Sequence, residues 1–156
     1  MEEKLQINIY KGLPMVLEKI NAVALSAVIG KANSWMQNKL KHYVIKGVGK
    51  EFVEEDLPLI NGGLSALGSE ILSSLVEYSD DRDAVIAQLK ELRKLVSMQY
   101  ICVEVLKINK RWMDSRMIKR SKEGKACSFK EDDILRINMA AMQIANELKS
   151  IELTLK

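Results

Sequence analysis

The stretch Trp35–Asn61, WMQNKLKHYVIKGVGKEFVEEDLPLIN, has a counterpart at Trp112–Asn138, WMDSRMIKRSKEGKACSFKEDDILRIN. The chain has two tryptophans, and an offset of 77 residues superposes them without a gap. The same offset pairs Val28 with Val105, Met36 with Met113, Gly47 with Gly124, Phe52 with Phe129, Glu54 with Glu131, Asp56 with Asp133, Ile60 with Ile137 and Asn61 with Asn138. With the tryptophans this makes nine identities over the 34 positions from Val28 to Asn61, where average composition gives roughly two. Self-similarity at a fixed period is the mark of a repeated structural unit.

Each unit reads as helical. Met36 and Leu40 are spaced i, i+4, as are Met113 and Met117, so each pair lies on one face of a short helix after its tryptophan. A polar loop follows, KGVGK in the first copy and KEGKACS in the second. The acidic triplets Glu54-Glu55-Asp56 and Glu131-Asp132-Asp133 then open a second helix, where carboxylates meet the unpaired N–H groups of the first turn. Leu57, Ile60, Leu64, Leu67 and Ile71 form an apolar stripe behind the first triplet, and Ile134, Ile137, Ala141, Ile144 and Leu148 behind the second. Gly62, Gly63 and Gly68 fall along the first stripe and read as close-packing sites. Asn61 and Asn138, unfavourable inside a helix, are expected to bond the loop that precedes them.

Between the copies, Asp80-Asp81-Arg82-Asp83 is an acidic helix start. Val85, Leu89, Leu92, Val96, Tyr100 and Val103 then recur at helical spacing, which predicts one long amphipathic helix with its stripe in a shared core. The alternative is a coiled-coil seam in a homodimer. Leu13-Pro14 predicts a helix starting near Met15 with the proline in its first turn. The expected organisation is a first helical repeat over 1–79, a connecting helix over 80–99 and a second repeat over 100–156: an all-α fold of two tandem units.

Composition narrows the function. An apolar content of 47% suits a globular chain, and no apolar run approaches the roughly 20 residues that cross a bilayer. The acidic start MEEKLQINIYKG does not read as a signal peptide, so the expected location is the cytoplasm. Cys102 and Cys127 lack metal or disulfide spacing, and His42 is the one histidine; this leaves no metal site, cofactor motif or hydrolytic triad, and no enzyme is expected. Charge is uneven. Val105–Lys130 holds nine Lys/Arg against two acids, and Gly30–Val53 five lysines against one acid, so with a total of +3 the remainder carries −8. A cationic flank on an acidic body is the pattern of a polyanion-binding face.

In the first copy AVALSAVIGKANSWMQNKL gives an apolar helix, a glycine corner and a second helix with polar residues on its free side, the layout of a helix-turn-helix. Ile29, Gly30, Lys31, Ser34, Trp35, Met36, Lys39, Leu40, Val44, Phe52 and Asp56 resemble the pattern of small helix-turn-helix proteins of bacterial phages and mobile elements. The resemblance covers about fifty residues of the first copy and, more loosely, the second. Ala32 stands where that pattern has a capping serine, which leaves the cap to Asn33 or Ser34. Lys107 stands at the corner in the second copy, which is then either a modified helix-turn-helix or a long helix ending near Asn109.

The resemblance implies a DNA-binding regulator of transcription, with double-stranded DNA as partner and no small-molecule substrate. Its implied contact residues are Lys31, Asn33, Ser34, Gln37, Asn38 and Lys41 in the first copy. In the second they are Lys110, Arg111, Asp114 and Ser115, with Arg116, Lys119, Arg120 and Lys122 supplying charge. The first copy is richer in amides and the second in cations, so the first is expected to read sequence and the second to anchor. Trp35 and Trp112 either stack on nucleic acid or pack the helix start against the loop. The competing reading is a helical interaction module that uses the duplicated fold without nucleic acid.

Overall fold

The structure, a computed structural model, describes residues 4–41, 44–45, 48–49, 51–117 and 128–156, without the side chains of residues 33, 44, 45, 48 and 49. The chain is mainly helical. Strand β1 (Leu5–Asn8) leads into α1 (Ile9–Leu17), α2 (Ala22–Ile29) and α3 (Asn33–Leu40). The short hairpin β2 (Val44–Ile45) and β3 (Val48–Gly49) precedes the long α4 (Asp56–Ser73). Then come α5 (Arg82–Arg93), the single turn α6 (Met98–Tyr100) running into a π-helical turn at Ile101–Val105, α7 (Lys110–Met117), the long α8 (Glu131–Ser150) and β4 (Ile151–Thr154). No helix among the described residues is long and apolar enough to cross a membrane.

The spine is α4 against α8, the most extensive helix pair in the structure. Ile60, Leu64, Leu67 and Ile71 are fully buried, and Ile134, Ile137, Ala141, Ile144 and Leu148 nearly so, as the stripes predict. The helices meet at Gly68, where a Cβ would lie 2.8 Å from the Ala145 carbonyl oxygen. Gly63 likewise admits Ile29 of α2, whose Cγ1 would be 2.7 Å from an added Cβ. Gly62 faces open space and is no packing site, a correction to the sequence reading.

Among the described residues, the two helix asparagines bond segments distant in sequence and not the loops that precede them. Asn61 in α4 donates from Nδ2 to the carbonyl of Leu153 (3.0 Å) and accepts the Leu153 N–H at Oδ1 (2.8 Å). Asn138 in α8 does the same to Val76, donating at 2.8 Å and accepting at 2.9 Å. Each amide therefore grips the chain that leaves the other spine helix, which requires α4 and α8 to run in opposite senses. The packing of α4 on α8 brings each asparagine to an extended residue whose N–H and C=O both face the amide. Beside this grip β1 pairs in parallel with β4, from Leu5 opposite Ile151 to Asn8 opposite Thr154, so the two ends of the described chain share a ladder. Periodicity did not reveal that ladder or the β2–β3 hairpin.

The connecting helix expected over 80–99 is divided. α5 ends at Arg93, and Val96 forms an antiparallel bridge with Ile20, flanked by Asn21 N–H to Leu95 O and Ser97 N–H to Lys19 O, both 3.0 Å. Ser97 then caps the next helix through Oγ, as Asn21 caps α2 through Oδ1. Val85, Leu89, Leu92 and Val96 are buried, but Val103 is 42% exposed, so the helical phase ran on across a real break. Ile9, Leu13, Val16 and Ile20 are buried at the same four-three-four spacing, 76 residues earlier. That stripe also explains α1, which starts from the Asn8 cap and carries Pro14 inside it, not at its first turn near Met15. Burying Ile9 and Leu13 selects the earlier start, and the proline sits on the exposed side.

From cap to corner the chain takes nine residues between Asn21 and Gly30 but ten between Ser97 and Lys107. The π-helical turn takes up the extra residue, with Leu106 N–H bonding Ile101 O at 2.8 Å in an i→i+5 step. Beyond it the offset is 77, and Lys107 occupies the corner with φ 58° where Gly30 has φ 80°. Among the described residues Lys107 is the only non-glycine with positive φ.

Two expectations follow. Lys107→Gly relieves a left-handed penalty of about 1–2 kcal/mol, less the unfolded-state entropy a glycine adds, for a net gain of about 0.5–1 kcal/mol and a melting midpoint raised by roughly 2 °C. Asn138→Ala leaves both backbone groups of Val76 without their partner and is expected to lose about 2 kcal/mol in chemical denaturation.

Candidate nucleic-acid interface

The corner at Gly30 ends α2, with the Gly30 and Lys31 N–H groups both bonding Ser26 O (2.9 and 3.1 Å). The chain re-enters a helix at Asn33. Ala32 occupies the cap position in extended conformation and makes no side-chain bond; of the two residues expected to take over the cap, the side chain of Asn33 lies outside the described residues and Ser34 is exposed in the first turn. In the second unit Asn109 stands at that place, and its Oδ1 accepts the Arg111 N–H at 2.9 Å. The turn at Lys107 thus starts a separate helix, which decides between the two readings of the second copy in favour of helix, corner, helix.

Met36 is fully buried and Leu40 half-buried, and they seat α3 on the core; Met113 and Met117 seat α7 likewise. The tryptophans pack the helix starts. Trp35 meets Phe52 edge-on at 6.2 Å and 82°, and Trp112 meets Phe129 at 5.7 Å and 76°. Tyr10 adds a ring 5.5 Å from Phe52, and its hydroxyl accepts the Phe52 N–H at 3.0 Å. Cations sit over the indoles: Lys39 4.8 Å and Lys31 5.6 Å from the Trp35 centroid, and Arg116 4.4 Å from that of Trp112. Of the two roles open to the tryptophans, the geometry favours packing over stacking on a base.

The acidic triplets work as helix starts. Asp56 is buried and accepts both the Val53 N–H (2.9 Å) and the Lys39 ammonium (2.7 Å). Asp133 accepts the Lys130 N–H at 2.8 Å. Each carboxylate reaches back three residues to close the entry to its spine helix. A second ion pair, Lys19 with Glu147 at 2.7 Å, ties the end of α1 to α8. Burial opposes the charge of Lys19, but its bond to Glu147, with Tyr100 adding to it, outweighs this and holds the ammonium above its ordinary pKa. No group of three His, Cys, Asp or Glu among the described residues could hold a metal ion.

Of the residues implied as DNA contacts, Lys31, Ser34 and Lys41 are exposed and Gln37 and Asn38 half-buried, all on α3 or its flanking turns. The side chain of Asn33 lies outside the description. Lys110 and Arg111 are exposed on the first turn of α7, with Asp114 exposed one turn later. Two expected contacts turn inward. Ser115 donates from Oγ to the Trp112 carbonyl at 3.0 Å, and Arg116 donates from Nη1 to the same carbonyl at 3.1 Å while covering the indole. The Trp112 carbonyl takes the Ser115 hydroxyl and one Arg116 N–H, while the Arg116 Nε is buried without a hydrogen-bond partner among the described residues. Lys119, Arg120 and Lys122, with His42 and Cys127, lie outside the described residues.

The sequence reading missed the hairpin that follows α3, although a two-residue Lys-Gly step between Val44-Ile45 and Val48 is a hairpin signal. It also missed Cys102 as a neighbour of α7: the thiol is buried, and burial first, then the charge of Asp114, push its pKa up against the opposing Lys110. No protein-family model matches the chain, and no curated protein or solved structure matches it either.

Removing the Asp56 carboxylate (Asp56→Ala) strands a half-buried ammonium beside Trp35 and frees the Val53 N–H. The expected cost is about 2 kcal/mol in urea unfolding, accompanied by a changed tryptophan emission.

Proposed function

We propose that this chain is a duplex-DNA-binding protein, a transcriptional regulator of the kind phages and mobile elements carry, built from two tandem helix-turn-helix-like units in one polypeptide. The observation that carries the reading is the recurrence of helix, positive-φ corner and helix at Gly30 and at Lys107. A lysine in that strained conformation implies that the angle between the two helices matters more than the local energy it costs. The exposed side of each second helix bears Lys31, Ser34 and Lys41 or Lys110 and Arg111, and the second lies in the segment of net charge +7. Polar and cationic groups on the outer side of a helix seated on the core by two apolar anchors suit insertion in a major groove. On this reading the chain works in the cytoplasm, and a homodimer is not needed to present two reading helices.

A second reading has its own observation. Met139 and Met142 on α8 are 60% and 41% exposed and line a groove with Val105 and Leu106, and Leu135 is a further exposed apolar residue (55%) on the same helix. Such a strip suits a protein partner, so a helical interaction module without nucleic acid is the competing function.

Duplex binding measured at rising salt separates the two. The proposal expects affinity to fall linearly in log–log form, and Lys110→Ala with Arg111→Ala to weaken binding and flatten the slope by about two, because each lost phosphate contact removes roughly 0.9. Affinity indifferent to salt, or a variant that binds like the parent, leaves the interaction module as the better account.

A further inference from the structure

The two reading helices present different chemistry at matched places, and this extends the DNA-binding reading on which it rests. With the 77-residue offset Ser34 corresponds to Arg111, Gln37 to Asp114, and Asn38 to Ser115. Ser34, Arg111 and Asp114 are exposed and Gln37 and Asn38 half-buried. The reciprocal contacts of the spine, Asn61 with Leu153 and Asn138 with Val76, are isologous, the pattern two units make about a two-fold axis. Such an axis would present α3 and α7 in opposite senses, as in a repressor dimer, but on one chain whose halves cannot exchange.

Asp114 decides what the second helix does. Its carboxylate is exposed on the same face as Lys110 and Arg111, with no ion pair to a described residue. A helix that served only to anchor phosphates would lose affinity by holding an anion there. A carboxylate becomes useful on a reading face when it accepts from the N4 amine of cytosine, and an arginine beside it donates two bonds to guanine. Gln37 and Asn38 on the first helix instead match the donor–acceptor edge of adenine.

We propose that the chain recognises a directional site of two unlike half-sites in inverted arrangement, one adenine-containing half read by α3 and one G·C-containing half read by α7 through Arg111 and Asp114. This replaces the division of labour in which one helix reads and the other only anchors. Because both helices belong to one polypeptide, the site has a defined left and right, and the bound protein an orientation.

The test is selection of bound duplexes from a random-sequence pool by the full chain and by two variants. The full chain is expected to enrich two dissimilar half-sites in a fixed, inverted spacing. Asp114→Gln is expected to relax the preference for cytosine at one position of one half-site, by about ten-fold or more, and to leave the other half-site unchanged. Rewriting α7 at the positions that the 77-residue offset pairs with α3 (Lys110→Asn, Arg111→Ser, Asp114→Gln, Ser115→Asn) is expected to convert the selected site into an inverted repeat of the first half-site. Two identical half-sites from the full chain, one half-site alone, or an Asp114→Gln preference like the parent's would each overturn this inference and leave DNA binding standing. No enrichment, with salt-insensitive binding or preferential capture of RNA, would remove the DNA reading itself. Asp114 is exposed, so circular dichroism and thermal melting of the single variant serve to show that a changed preference is not a folding defect.

Discussion

The crossing of α4 and α8 at Gly68 and Ala145 is the contact on which the remaining structure hangs. An added Cβ at Gly68 would stand 2.8 Å from a backbone carbonyl, so the two long helices approach as closely as side chains allow. That proximity brings Asn61 to the strand beyond α8 and Asn138 to the segment beyond α4, where each amide satisfies both groups of one extended residue. It also places β4 where β1 can pair with it. Were the helices to separate, the asparagines would be stranded in helix interiors with half-buried, unpaired amides.

Around this spine, unlike residues arrive at like geometry. Gly30 and Lys107 make the same corner, one without strain and one with it. Ala32 begins α3 with no cap, while Asn109 caps α7. Lys39 covers Trp35 and pairs with Asp56, whereas Arg116 covers Trp112 and turns to a carbonyl. The π-helical turn absorbs one residue that the first half lacks, so the corner after it still falls in register with the core. Backbone geometry recurs at the two corners while the local chemistry differs.

The aromatic and cationic groups near each helix start show how a charged flank coexists with a packed core. Lys39 and Arg116 hold their charged groups over indole rings, and Lys31 lies over Trp35 from the turn. Lys110, Arg111 and Lys41 remain in solvent. The cations thus divide into those that cover an indole, of which Lys31 is also exposed, and those that stand in solvent alone, a division that net charge does not reveal.

By itself the sequence determined what repeats and what is apolar. The 77-residue offset, the stripes of both long helices, the Met36/Leu40 and Met113/Met117 anchors and the helix-opening role of the acidic triplets were all legible, because period and spacing are local properties of the chain. Only the tertiary structure decided where those elements end and whom they touch. The apolar phase of the connecting segment ran through Val96 without a glycine or proline, yet a bridge to Ile20, 76 residues away, breaks the helix there. The asparagine grips, the β1–β4 ladder and the inward turn of Ser115 and Arg116 depend in the same way on partners that periodicity cannot name. Hydrogen bonds to distant backbone are set by the packing of two helices, and no window along the chain contains both ends of such a bond.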